Sequence, residues 1–148
     1  MRMAAAILSA AAAGCAPAPL KLSDSDRSTI RRIERAEPDQ RDALRARLID
    51  AHPEWSEDAK SAVRAGEISN GMTPEQVVCA WGFPDRRTPD WWKGPLEREQ
   101  SEYRAGDSRV LLEVYGKLWD AEWWQGDHQR EWLIQNNRRV RVLPGRAL

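Results

Sequence analysis

The sequence predicts an α+β fold, with two or more short helices packed on one face of an antiparallel sheet of about three to five strands and a helical extension in front. Three stretches carry that prediction. Thr73 to Gly82 and Ser56 to Gly66 are short apolar-periodic runs, each with its own start and stop chemistry, and from Gln100 onward the apolar period drops to two. Helices of about two to three turns are unstable alone, so both need a docking surface, which the apolar face of the period-two segment provides.

Composition sets the outer limits. At 148 residues and 41% hydrophobic content, one domain with a modest core is expected. The 23 basic and 23 acidic residues cancel, which excludes the strong field of a nucleic-acid binder, so no nucleic-acid partner is expected. Eight Trp stand against one Phe and two Tyr, a bias that belongs to packing or to binding.

Residues 1–14 read as a signal peptide: Arg2 is followed by the apolar run Met3 to Ala13, too short to anchor as a bilayer span, and by small residues. The end of the run, Ala12-Ala13-Gly14-Cys15, resembles a bacterial lipobox, with Ala12 where Leu is usual, and implies that Cys15 is acylated and becomes the new N-terminus. Ala16 next to it, rather than Asp, fits sorting to the outer membrane. An ordinary secretory signal cleaved after an Ala-x-Ala site, with Cys15 incidental, is the alternative. Residues 15–26, with Pro17, Pro19, Ser23, Asp24 and Ser25, lack apolar periodicity and read as the lipidated Cys and a flexible tether.

Residues 27–52 form the helical extension. Ser28 to Ala36 carries Ile30 and Ile33; Asp39 to Ala51 carries Leu44, Leu48 and Ile49; Glu37-Pro38 separates them. Arg27, Arg31, Arg32, Arg35, Arg41, Arg45 and Arg47 alternate with Glu34, Glu37, Asp39, Asp42 and Asp50, which favours a solvated, ion-paired face over a patch for nucleic acid or anionic lipid.

The main domain is expected over residues 53–143. Ser56 is the N-cap of its first helix, Ala59, Ala62 and Val63 the buried stripe, and Gly66 the stop. In the second helix Thr73 and Gln76 make a capping box, Pro74 takes the first helical position, Met72 and Val77 have hydrophobic-staple spacing, Val77, Val78 and Trp81 form one stripe, and Gly82 with Pro84 ends it in a left-handed turn. Asp85 to Glu97 reads as a surface loop, with Arg86, Arg87, Trp91 and Trp92 as the candidate partner surface. Gln100 to Arg104 is a strand. Val110, Leu112 and Val114 face Trp123, Ala121 and Trp119 across a turn at Gly116-Lys117, so one face is apolar throughout. A last hairpin pairs Trp132 and Ile134 with Val142 and Val140 around Asn136-Asn137-Arg138, and residues 144–148 form a frayed tail.

The run Gly71-Met72-Thr73 through Val77 to Gly82-Phe83-Pro84 resembles the signature of the SmpA/OmlA family, the BamE-like small outer-membrane lipoproteins, over roughly half the chain. That resemblance implies two helices on an antiparallel sheet, a fold shared with β-lactamase inhibitor proteins. It also implies a structural or assembly role at the inner face of the outer membrane, with envelope proteins, by analogy those of the β-barrel insertion complex, and phospholipid as contacts.

No chemistry stands out beside it. Cys79 sits in mid-helix and reads as a small buried residue rather than a nucleophile served by His52 or His128. Asp127-His128 lacks metal-site spacing, and no phosphate loop or dinucleotide fingerprint occurs, so no enzyme, metal or cofactor is expected. The expected function is therefore a non-catalytic, lipid-anchored envelope protein facing the periplasm. The alternatives are a glycan-binding module using Trp91, Trp92, Trp123, Trp124 and Trp132 as stacking platforms, or an inhibitor of a periplasmic enzyme.

Overall fold

The computed structural model describes residues 17–89, 98–132 and 139–141. Among them are four helices, α1 (Asp24–Arg35), α2 (Pro38–Asp50), α3 (Glu57–Ala65) and α4 (Pro74–Trp81). An antiparallel meander of β2 (Arg86–Pro89), β3 (Arg98–Ala105), β4 (Ser108–Tyr115), β5 (Lys117–Gln125) and β6 (His128–Trp132) forms the main sheet, in that order. A second, two-stranded sheet pairs β1 (Glu67–Ile68) with β7 (Val140–Arg141). The α+β class is as the sequence predicts.

Local chemistry fixes each helix start. Thr73 accepts from Gln76 N–H at 3.2 Å while the Gln76 side chain accepts from Thr73 N–H at 2.9 Å, and Ser56 accepts from Ala59 N–H at 3.2 Å. Gly66 ends α3 in the left-handed conformation (φ 66°, ψ 36°). Gly82 ends α4 at φ 80° and ψ −175°, a positive φ but not the left-handed helical turn expected of it. Residues Gln76 to Trp81 are all buried, so α4 is enclosed around its whole circumference rather than along one stripe.

The helical layer is a ring. α1 packs on α2, α2 on α3, α3 on α4, and α1 closes on α4, which itself lies against β5. Ile30 and Ile33 of α1 and Leu44, Leu48 and Ile49 of α2 therefore share one core with Val63, Val77 and Trp81 and with Tyr103, Val110, Leu112, Leu118 and Ala121 of the sheet. Each buried Ile or Leu contributes about 1.5–3 kcal/mol, so the helices read as an extension, which bury five of them, are core elements of the domain.

Helix α1 starts at Asp24, inside the segment read as a tether. Ser23 and Asp26 form a reciprocal capping box (Ser23 Oγ accepts from Asp26 N–H at 3.0 Å, and the Asp26 carboxylate from Ser23 N–H at 3.2 Å), with Asp in the place usually held by Glu or Gln. The residues before it are docked: Lys21 N–H donates to Glu75, Arg27 to Leu20 O and Arg87 to Ala18 O, and Leu20 and Leu22 pack on the core.

The sheet departs from expectation at two places. Residues Arg86–Pro89, read as loop, are the edge strand β2, paired with β3 from Arg86↔Glu102 to Pro89↔Glu99. In the β4–β5 hairpin, Val110 faces Trp123 and Leu112 faces Ala121 as predicted, but a bulge sets Val114 opposite Leu118 and leaves Trp119 without a partner in β4. The bulge inverts which side chain points inward, so Leu118 is 1% exposed and Trp119 62%. Its cause lies outside the hairpin. Leu118 C=O accepts from Gly71 N–H at 2.8 Å and Leu118 N–H donates to Met72 O at 2.7 Å, so its backbone serves the entry to α4.

Val140 of β7 pairs with Ile68 of β1, and Trp132 of β6 pairs with Glu122 of β5; the expected pairing of Trp132 and Ile134 with Val142 and Val140 lies outside the described residues. Arg139 reaches Asp58 and Ser61 on α3, and Arg141 reaches Glu67, at 3.0–3.1 Å. These contacts draw β7 to the α3 side. The loop 136–138, Ile134 and Val142 lie outside the described residues, as do the signal segment 1–14 and the tail 144–148.

Candidate functional site

The motif residues converge on one structural task. Gly71 (φ 85°) and Met72 supply the two backbone bonds to Leu118 that pin the front of α4 to β5, and a positive φ there suits glycine. Met72 Sδ also accepts from Ser69 N–H at 3.1 Å. At the back end Gly82 O accepts from the Tyr103 hydroxyl at 2.9 Å, and the Tyr103 ring meets Trp81 edge-on at 5.3 Å. Phe83 N–H then donates to Glu34 of α1 at 2.9 Å, joining α1 to the same turn. Thr73 caps the helix, Val77 is buried beneath it and Pro84 is half-buried.

The candidate partner surface is reduced. Arg87 is paired with Glu99 at 2.6 Å and bonded to Ala18 O, so it closes the sheet edge over the N-terminal segment, whereas Arg86 is exposed. Trp91 and Trp92 lie outside the described residues, as does Cys15. Of the indoles proposed as a glycan platform, Trp123 packs against the core on the helical face of the sheet, while Trp124, its neighbour in β5, points to the other face. Trp124 lies 5.2 Å from the Arg109 guanidinium and donates to Glu122 at 2.9 Å, so the two cannot share one stacking plane. The side chain of Trp132 is outside the described residues.

Cys79 is buried, and desolvation, with Asp26 and Glu75 nearby, pushes its thiol up to about 12. At neutral pH it is a thiol, not a nucleophile. The His52 ring nitrogens face carboxylates rather than sulfur: Asp26 at 3.3 Å and Glu54 at 2.9 Å. The same ring stacks on Trp55 at 4.2 Å and 3°. Its own backbone N–H and then His52 hold the Glu54 carboxyl below the usual range. This clamp, which ties the start of α1 to the α2–α3 connection, escaped the sequence reading because Asp26 lay in the segment taken as tether. Among the described residues no group of three His, Cys, Asp or Glu is placed to hold a metal ion, and no helix is long and apolar enough to cross a membrane.

Several charged side chains of α1 and α2 turn to groups other than each other. Glu34 is turned to Phe83 N–H, Arg27 and Arg41 donate to the backbone carbonyls of Leu20 and Ala36, and Arg31 lies 5.1 Å over the Phe83 ring. Arg45 is buried, its Nε without a partner, and desolvation pulls its pKa down. Alternating charges along a helix state which residues carry opposite sign, not which ones meet.

Comparison with known protein families, with curated proteins and with solved structures found no match.

Proposed function

We propose that this chain is a non-catalytic bacterial envelope lipoprotein with a BamE-like domain, anchored through an acylated Cys15 to the outer membrane, facing the periplasm and acting through protein contacts. The observation that carries the reading is the fastening of α4. Gly71, Met72, Thr73, Val77 and Gly82 act together to set one short helix on an antiparallel sheet, and they are the residues on which the resemblance to the SmpA/OmlA family rests. A signature whose polar atoms are consumed in holding a helix to a sheet supports a scaffold that works by surface shape. By the resemblance, its partners are envelope proteins, among them components of β-barrel assembly.

Purification of the native, lipidated protein from detergent-solubilised membranes, followed by identification of the proteins retained, tests the role. Recovery of barrel-assembly components is expected; their absence, with retention of the protein on peptidoglycan, would replace this reading with the glycan one. A Cys15→Ser variant tests the anchor separately. It should accumulate as unprocessed precursor, and normal maturation with membrane attachment would refute acylation.

A further inference from the structure

Ser28, Arg31, Arg32 and Arg35 recur at helical spacing on α1 and, with Gln40 and Leu44 of α2, line a groove of about 410 Å³ between the two helices. Among the described residues no carboxylate lines it, and Arg32 and Arg35 enter no ion pair. Arg31 rests on Phe83, and Glu34, the acid between them in sequence, is occupied by Phe83 N–H. Their position near the C-terminal end of α1 suits the helix dipole, worth a few tenths of a kcal/mol, but the dipole does not require three guanidinia to face one groove. In a chain of zero formal net charge, this is a local excess of donors without acceptors.

We propose that the α1–α2 groove docks an acidic segment of a protein partner. Glutamate or aspartate carboxylates take the paired N–H donors of Arg31, Arg32 and Arg35, Ser28 and Gln40 complete the polar rim, and an aliphatic side chain of the segment rests on Leu44. A groove with one cationic wall, from α1, and Ala36 and Leu44 beside it fits a chain that alternates carboxylate and aliphatic groups better than a flat sheet of lipid headgroups. The inference deepens the protein-contact reading and is independent of the anchor and of the identity of the partner.

The test is direct binding by the purified full-length protein, followed by fluorescence anisotropy. The probe is a labelled peptide of sequence Glu-Glu-Leu-Glu-Glu-Leu-Glu, at about 0.02 M and about 0.15 M salt. Saturable binding that weakens with salt is expected. The triple variant Arg31→Gln, Arg32→Gln, Arg35→Gln should weaken it by about tenfold or more, while the charge-matched triple Arg47→Gln, Arg64→Gln, Lys117→Gln should change it by less than about twofold. If the first triple shifts the melting temperature, the double variant Arg32→Gln, Arg35→Gln, which leaves the Phe83 contact in place, carries the comparison. No binding, or equal losses in both triples, overturns the proposal. So does arginine-dependent binding to vesicles containing anionic phospholipid when the peptide does not bind. Because the probe is synthetic, failure here leaves the co-purification result, and hence the broader reading, to be judged by itself.

Discussion

Replacing Gly66 by Ala should destabilise the fold by two separable routes. Gly66 closes α3 at φ 66°, where a side chain costs roughly 1–2 kcal/mol in backbone strain. A Cβ built there would also stand 2.7 Å from Arg45 Nη2 and 3.1 Å from its Cζ, closer than side-chain atoms pack. Arg45 is 8% exposed, so its guanidinium has to leave a site where it is packed, adding about 1 kcal/mol. The sum, about 2–3 kcal/mol, corresponds to a fall of roughly 5–10 °C in melting temperature for a chain of this length. The assay is urea unfolding of four proteins: the wild type, Gly66→Ala, Arg45→Ala and the double variant. Truncating Arg45 opens the space, so in that background Gly66→Ala should retain only the backbone part, with a coupling of about 1 kcal/mol between the sites. Strict additivity would refute the steric route, and a Gly66→Ala variant as stable as wild type would refute both.

Thr73→Ala removes the acceptor for Gln76 N–H and should lower stability by about 1 kcal/mol, read as a shift in urea midpoint at constant slope; no shift would mean that the capping box is idle. Leu118→Ala should cost about 2–5 kcal/mol and Trp119→Ala no more than about 0.5, and reversed sizes would sink the bulge. The Cys79 thiol is raised from 9.0 to about 12, so the folded state holds its proton more tightly than the unfolded chain does. Its contribution is therefore fully present below pH 9 and is lost as pH climbs from 9 toward 12, by about 1.4 kcal/mol per pH unit. Unfolding of wild type and Cys79→Ala across that window should diverge by this slope, and parallel curves would contradict the burial argument. An aromatic disulfide reagent at pH 8 should likewise label Cys79 only on unfolding.

What was legible in the chain was local. Ser56, Thr73, Pro38 and Gly66 announce helix ends because a cap is chemistry between neighbours, and the structure places the ends there. The capping box of α1 was hidden by an Asp in the third position and by the proline-containing stretch before it. Strand β2 was invisible because Arg86-Arg87-Thr88-Pro89 has no apolar alternation; backbone pairing to β3 makes it a strand. β1 and β7, of two residues each, are too short to show a period. The hairpin was legible, but its register beyond Glu113 was not, because the bulge answers to hydrogen bonds between Leu118 and residues more than forty positions earlier. Of the candidate site, the motif from Gly71 to Pro84 was readable and Arg87 was not, since its partners Glu99 and Ala18 are distant in sequence.

The same contrast separates the part of the molecule that holds the fold from the part free to recognise something else. In α4 and its flanks the polar groups of the motif are consumed internally: Thr73 and Gln76 by each other, Gly71 N–H and Met72 C=O by Leu118, and Gly82 C=O by Tyr103. Helices α1 and α2 bury Ile30, Ile33, Leu44, Leu48 and Ile49 in the common core, and their outward side keeps guanidinia that no carboxylate of the described residues meets. An exposed arginine without a carboxylate partner adds little to stability, so, beyond the contact of Arg31 with Phe83, the fold does not call for Arg32 and Arg35 at the same groove. The motif therefore accounts for how the domain is built, and the arginine groove, outside the stretch that carries the family resemblance, is where this chain has surface chemistry to use on another molecule.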